Sequence, residues 1–349
     1  MKTFNLCFLG FGNVGRSLLR LLGEKSVEMR EAHGIEWRLT GVATRRMGWH
    51  ASADGLPVES LLAGGADSAG GAGGATGARA AATQPSNVAE WLASARCDVL
   101  FETTSLEPLT GQPAIEHVRA ALAAGAHVVT ANKGTIVHGY QELNALARAS
   151  GRRFLFEATV ADMPVFSLFR ECLPAARLLG FRGIFNSTTN VILEELEQGR
   201  TFAEGVARAQ LLGVTETDPA YDVDGWDSAV KVCALANVLM RVPLKLEEVE
   251  REGIRGLEAA RVREARAAGK PYRLVSRARL ETDGRASASV RAEQIAPDDP
   301  LSGTGGTSLS IHFELDILPG LTLTAHQPDL RSTAYGLLAD FINAVRGET

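Results

Sequence analysis

Apolar residues fall along this chain in two rhythms. Over about the first 150 residues, short runs of strand length alternate with segments whose apolar positions recur at helical spacing. Thr3–Leu9 (T-F-N-L-C-F-L) predicts a strand and Arg16–Leu22 (R-S-L-L-R-L-L) a helix. Further strands are expected at Trp37–Ala43, Cys97–Glu102 and His127–Thr130, with an Ala-rich helix from Pro113 to Ala124. Strand–helix alternation of this kind predicts an α/β fold with a doubly wound parallel sheet. After Arg153–Val160 the rhythm changes. Helices are expected from Val191 to Gln198, Thr201 to Leu212 and Trp226 to Met240, and strands at Tyr272–Ala278, Ala288–Ala292, Leu309–Leu315 and Leu321–Ala325. A last helix, Ser332–Val345, has the look of one that returns to the first domain. The expected organisation is a first domain over 1–150, completed by about 326–349, and an α+β second domain over 151–325.

The turn between the first strand and helix reads Gly10-Phe11-Gly12-Asn13-Val14-Gly15. Strand, G-x-G-x-x-G and helix in that order form the dinucleotide-binding fingerprint of a Rossmann domain. The first Gly permits the tight turn, the second lets a pyrophosphate approach the backbone, and the third lets helix and strand pack closely. The helix start supplies N–H groups to the phosphates. Alone the motif is weak; its position gives it weight. The second strand ends in Thr44-Arg45-Arg46, where an NAD enzyme usually places an acidic residue for the ribose hydroxyl. Arg45 there suits a 2′-phosphate, so NADP is the expected cofactor and NAD the alternative. The bland reading is that both arginines face water. Ligands sit outside the carboxyl ends of strands in open α/β sheets. That rule nominates Thr103, Thr104 and Ser105 after one strand, and Asn132 and Lys133 after the next.

The densest chemistry lies between Gly213 and Lys231, G-V-T-E-T-D-P-A-Y-D-V-D-G-W-D-S-A-V-K. Four carboxylates, Glu216, Asp218, Asp222 and Asp224, precede a helix carrying Asp227 and Lys231. Residues at i and i+4 share a helix face. Apart from this pair the segment to Met240 has no charge, which describes a buried helix. A buried Lys beside a carboxylate can become a proton donor or acceptor. The alternative is structural: Asp224 as N-cap, Asp227 in a capping-box position, and Lys231 as its ion pair. The stretch by itself leaves both open.

Composition sets bounds. With 349 residues, 45% hydrophobic and 22% charged, the chain has the make-up of a soluble protein of two domains. A net charge of −5 gives no sign of a nucleic-acid-binding surface. Cys7, Cys97, Cys172 and Cys233 form no Cys-x-x-Cys pair, so buried thiols in a reducing cytoplasm are expected. No secretory leader or membrane-spanning run is evident. Residues 63–83, rich in Gly and Ala, read as a flexible insertion.

Taken together, G-F-G-N-V-G, H-V-V-T-A-N-K, E-A-T-V, I-F-N-S-T-T-N-V-I-L and E-T-D-P-A-Y-D-V-D-G-W-D-S-A-V-K resemble homoserine dehydrogenases across nearly the full chain. The last two stretches are specific to that family. The resemblance implies NAD(P)-dependent interconversion of L-aspartate 4-semialdehyde and L-homoserine, a step toward threonine and methionine. It implies that Lys231 donates the proton, Asp227 holds Lys231, and Lys133 is a second lysine at the reacting oxygen. Glu216 would bind the substrate amino group, with Asn186, Thr188 and Asp222 lining the pocket. It further implies a sodium site at Glu157 and Val160, a homodimer, and a short form without the regulatory ACT domain.

This chain departs from the family pattern in four places. It reads Ala161-Asp162-Met163 for a longer glycine-rich loop, Ser187 for a glycine, Val214 for a tyrosine, and His326-Gln327-Pro328-Asp329-Leu330 for a Gly-x-Gly-Ala-Gly loop. Two rivals remain at this level: a dehydrogenase of another small carbonyl compound, and a non-catalytic NADP-binding regulator. Nothing in cofactor binding alone requires Glu216, Asp227, Lys231 and Lys133 together.

Overall fold

The computed structural model describes residues 1–63, 85–215 and 218–348. The chain divides into two compact units, Met1–Thr159 with Leu330–Thr349, and Val160–Asp329. The first boundary falls after Thr159 rather than near 150, because a short strand at Phe154–Leu155 still pairs into the first sheet.

That sheet contains β1 (Lys2–Leu9), β2 (Ile35–Thr44), β3 (Gly48–Ala51), β4 (Val99–Glu102), β5 (His127–Thr130) and β6 (Phe154–Leu155), in the order β3-β2-β1-β4-β5-β6. Neighbours run parallel except β2 and β3, an antiparallel hairpin that the sequence pattern did not anticipate. The tight turn needed there is supplied by Gly48 at φ +75°, which Gly adopts without strain. On one face Phe4, Leu6, Phe8 and Phe101 pack with Leu18, Leu19 and Leu22 of the helix Asn13–Glu24 and with Leu337, Leu338 and Phe341 of the helix Leu330–Val345. Burial of each such side chain is worth roughly 1.5–3 kcal/mol. The alternate positions Cys7, Leu100 and Val128 are fully buried too, so both faces are covered, as a parallel sheet requires.

The second unit has a sheet of β7 (Leu178–Ile184), β8 (Glu250–Arg251), β9 (Tyr272–Leu280), β10 (Ala286–Gln294), β11 (Leu309–Leu315) and β12 (Leu321–Ala325). Its order is β12-β11-β7-β9-β10-β8, antiparallel throughout except for β8 against β10. The helices Ser187–Glu197 and Phe202–Leu211 pair, the second opened by a capping box of Thr201 and Glu204.

The helix expected from Trp226 to Met240 is α-helical to Leu235 and continues as a π-helical turn, Ala236–Met240. Ser228, Ala229, Val230 and the run Val232–Leu235 are all buried, which accounts for its apolar character on every side. Its N-cap is Gly225, at φ +79°, and no side chain caps it. Asp224 is therefore not the cap. Its carboxylate instead pairs with Arg255 at 2.8 Å, and Asp224 ends the preceding short helix, Ala220–Val223, as its C-cap. The expectation of buried thiols fails for Cys172, which is exposed; Cys7 and Cys233 are buried, and Cys97, half-buried as a residue, has a thiol that burial pushes up. Of the Gly/Ala-rich stretch, Ala63 ends a short helix, Val58–Ala63, and the remainder lies outside the described residues. Among the described residues no helix is long and apolar enough to cross a membrane.

Candidate active site

The glycine turn is built as its spacing predicts. Gly10 sits at φ +88°, and a Cβ there would lie 2.5 Å from the Thr103 carbonyl oxygen. Gly15 meets the Gly10 oxygen and the Phe11 ring at 3.3 Å, so it is the close-packing glycine. Around Gly12 a Cβ would meet nothing within 4 Å. Gly12 is also the N-cap of the helix Asn13–Glu24 and, having no side chain, leaves that helix start without a side-chain cap. Orphan donors beside open space suit a pyrophosphate. Phe11 is buried, Asn13 exposed and Val14 half-buried. These residues fit a dinucleotide.

Around that turn the strand ends converge. Thr103 donates its hydroxyl to the Gly10 carbonyl at 2.9 Å. The Asn132 amide donates to the carbonyls of Thr104 and Ser105, both at 3.3 Å, and its side-chain oxygen accepts from Gly134 N–H at 3.0 Å. Lys133, half-buried, is the N-cap of the helix Gly134–Ala149. Arg45 and Arg46 are exposed in the turn after β2, where the Thr44 hydroxyl accepts from Met47 N–H at 2.9 Å.

In the second unit the acidic stretch separates into distinct roles. Lys231 and Asp227 form an ion pair at 2.8 Å, with only 12% and 13% of their side chains exposed. The Lys231 ammonium also donates to the backbone carbonyl of Phe185 at 2.6 Å. Asn186 caps the helix Ser187–Glu197 by accepting from Thr189 N–H at 2.9 Å, and its amide nitrogen donates to Asp222 at 2.6 Å and to Asp227 at 3.2 Å. Two carboxylates are thus tied together by one amide. The Thr215 hydroxyl donates to Asp222 at 3.0 Å; the Thr188 hydroxyl lies 3.2 Å from Asp222 and 2.7 Å from the Val214 carbonyl. Burial, and then the neighbouring Asp227 charge, push the Asp222 carboxyl above its ordinary range.

Asp218 stands apart, exposed and accepting from Ala220 N–H at 2.9 Å, and Asp224, half-buried, pairs with Arg255. Glu216 lies outside the described residues. Glu157 and Val160 are both buried, and the Glu157 N–H donates to the Asp340 carboxylate at 2.6 Å. Thr215 and the Phe185 carbonyl were not singled out from the sequence. Thr215 lies inside the acidic stretch and could have been weighed; a backbone carbonyl carries no residue signal at all.

A Rossmann sheet with an open phosphate turn, and a shielded lysine–carboxylate cluster in a second unit, define a nicotinamide-dependent oxidoreductase. Residues 10–157 match the model of the homoserine dehydrogenase NAD-binding domain, and residues 164–342 that of homoserine dehydrogenase. The chain belongs to the homoserine dehydrogenase family, and is an NAD(P)-dependent oxidoreductase. It is 33% identical to the NAD(+)-dependent homoserine dehydrogenase of Pseudomonas canavaninivorans, over 100% of this chain and 98% of that one. The crystal structure of a homoserine dehydrogenase from Thiobacillus denitrificans superposes with a TM-score of 0.81 at 28% identity, covering 99% of this chain and 74% of that one. A hyperthermophilic archaeal homoserine dehydrogenase mutant in complex with NADPH matches at 0.78 and 26%, covering 99% and 98%.

Proposed function

We propose that the chain reduces L-aspartate 4-semialdehyde to L-homoserine with NADPH, Lys231 delivering the proton to the developing alkoxide directly or through water. The observation that carries this is the lysine's setting. Its ammonium is largely shielded from solvent and fixed by Asp227 and the Phe185 carbonyl. Lysine has three N–H donors, so this anchoring leaves one direction for a substrate oxygen. An exposed ion pair would contribute little and need no such anchor.

Asn186, Thr188 and Asp222 line the substrate pocket on this reading, with Glu216 taking the amino group and Lys133 serving as the second lysine. The glycine turn and residues Thr103, Thr104, Ser105, Asn132 and Lys133 hold the cofactor. When bound, the cofactor supplies the hydride to the aldehyde carbon. NADP is favoured over NAD by Arg45 and Arg46, exposed at the end of β2 where no acidic residue stands; relatives named for NAD(+) and bound to NADPH both occur. A sodium ion is proposed at Glu157 and Val160, a carboxylate and a carbonyl being the hard oxygen donors that such an ion takes. Among the described residues no cluster of three His, Cys, Asp or Glu side chains could hold a metal, which argues against a carboxylate-rich divalent site. A homodimer is the proposed assembly, and threonine and methionine biosynthesis the proposed pathway.

Homoserine-dependent reduction of NADP at alkaline pH, followed by absorbance, is the test. Turnover with a different small hydroxy compound but not with homoserine would favour the related dehydrogenase. Cofactor binding without turnover of any would favour the regulator.

A further inference from the structure

We propose that Glu102 is a positioning residue for the cofactor, clamping together the two loops at the carboxyl ends of β4 and β5. The inference rests on the dinucleotide reading of those loops given above. Glu102 is fully buried, with 0% of its surface exposed, although the hydride-transfer chemistry makes no use of it. A carboxylate withdrawn from water is strongly unfavourable unless it is paired and hydrogen-bonded. Here the bonds it receives come from the loops themselves.

Thr104 donates to Glu102 through both its backbone N–H, at 3.3 Å, and its hydroxyl. The Thr130 hydroxyl lies 3.1 Å from the other carboxylate oxygen. Thr130 in turn accepts from the Asn132 N–H at 2.9 Å, and the Asn132 amide returns to the Thr104 carbonyl at 3.3 Å. The circuit Glu102–Thr104–Asn132–Thr130 therefore closes on itself. It joins the segment Thr103–Ser105 to the segment Asn132–Gly134, and Thr103 extends it to the glycine turn through the Gly10 carbonyl. His117 Nδ1 stands 3.6 Å from the carboxylate, is buried, and has no hydrogen-bond partner among the described residues.

A carboxylate suits this place because it accepts at two oxygens simultaneously. Glutamine accepts at only one end, so Glu102→Gln keeps the shape but sets an N–H donor either against Thr104, whose N–H and hydroxyl both donate, or against Thr130, whose hydroxyl must then turn to the backbone carbonyl of residue 102, 3.0 Å away. Thr130→Val, at nearly constant volume, leaves the Thr104 bonds to Glu102 in place but removes the hydroxyl that meets the carboxylate and accepts from Asn132 N–H.

The experiment titrates wild type, Glu102→Gln and Thr130→Val with NADPH, and in parallel NADH, by nucleotide fluorescence, then measures steady-state kinetics with homoserine. Small misplacements of bound groups are expensive, so the cofactor Kd should rise about tenfold in Glu102→Gln and about threefold in Thr130→Val. Homoserine KM should rise by less than the cofactor Kd, since Glu102 touches none of Asn186, Thr188 and Asp222 and reaches Lys133 only through the clamped loop. Cofactor Kd unchanged in both variants would overturn the proposal, as would a homoserine KM that rises as much as the Kd. If Glu102→Gln does not fold, Thr130→Val decides alone. Absence of homoserine turnover in the wild type would count against the assigned substrate, while the nucleotide titrations would still judge Glu102.

Discussion

The Lys231 ammonium donates to the Phe185 backbone carbonyl at 2.6 Å while pairing with Asp227 at 2.8 Å. Phe185 immediately follows β7 and precedes Asn186, the cap of the next helix. The lysine is thus held by one side chain from its own helix and one carbonyl from a strand end, which restricts its long side chain to a single position. On the proposed reading, that position is what proton delivery requires.

Replacing this lysine separates the two. Lys231→Met should lower turnover by about 10²–10⁴-fold, the usual range for general acid–base catalysis. Asp227→Asn should slow it less, because the carbonyl anchor survives. Cofactor affinity should barely move in either. Near-normal turnover in Lys231→Met would shift the chemistry to Lys133.

Asp222 ties acidity to stability. Its carboxyl is raised by burial and by Asp227, so the folded state binds that proton more tightly than the unfolded chain does. Its contribution is therefore most favourable below the ordinary value of 3.8, falls as pH rises through the interval up to the raised folded value, and stays reduced above it. Asp222→Asn removes that titration, so the difference in melting temperature, variant minus wild type, should grow as pH rises from about 3.8 toward neutrality, while homoserine KM rises. A difference that shrinks over that range would contradict the assigned direction.

Arg45 should discriminate cofactors. A charge-assisted hydrogen bond contributes ~1.5–3 kcal/mol, and each ~1.4 kcal/mol is tenfold in affinity. Arg45→Ala should weaken NADP binding by roughly ten- to a hundredfold and leave NAD nearly unchanged. Equal losses, read by paired isothermal titrations, would remove the arginine from this role.

The roles of the first two glycines of the turn are separable. Gly10→Ala places a Cβ 2.5 Å from the Thr103 carbonyl in a left-handed backbone, so the variant should be poorly folded. Gly12→Ala meets open space, and its melting temperature should fall only slightly, yet the methyl occupies the phosphate approach and cofactor Kd should rise sharply. If Gly12→Ala binds nucleotide normally, the phosphates lie elsewhere.

His127 should make the first unit acid-sensitive. Its Nδ1 accepts from Arg153 N–H at 3.0 Å and its Nε2 meets Glu348 at 2.8 Å. Burial, aided by Arg152 and Arg153, holds its pKa below the ordinary 6.5 despite Glu348. A depressed histidine pKa means that the unfolded chain takes the proton first. The associated stability is present above about pH 6.5 and is lost as pH falls toward the folded value. Denaturation midpoints should drop from pH 7 to pH 5, and His127→Gln should flatten that slope. A slope unchanged by the substitution would place the acid sensitivity on other groups.

What the sequence determined by itself was whatever depends on near neighbours. The strand at Thr3–Leu9, the glycine turn and the i+4 pairing of Asp227 with Lys231 follow from local periodicity and backbone geometry, and the structure has all three. The motifs were equally local, and they sufficed for the family. Tertiary structure decided what each polar group touches. Asp218, Asp222 and Asp224 look alike in a row of carboxylates, yet one caps a turn, one joins Asn186 and Thr215, and one pairs with Arg255. The partners of Asp222 and Asp224 come from distant segments, or from across a turn whose course is set by packing. The Phe185 carbonyl and the buried Glu102 circuit show the same limit most plainly. A backbone oxygen has no letter of its own, and a glutamate at a strand's end reads as a surface charge until the strands beside it close over it.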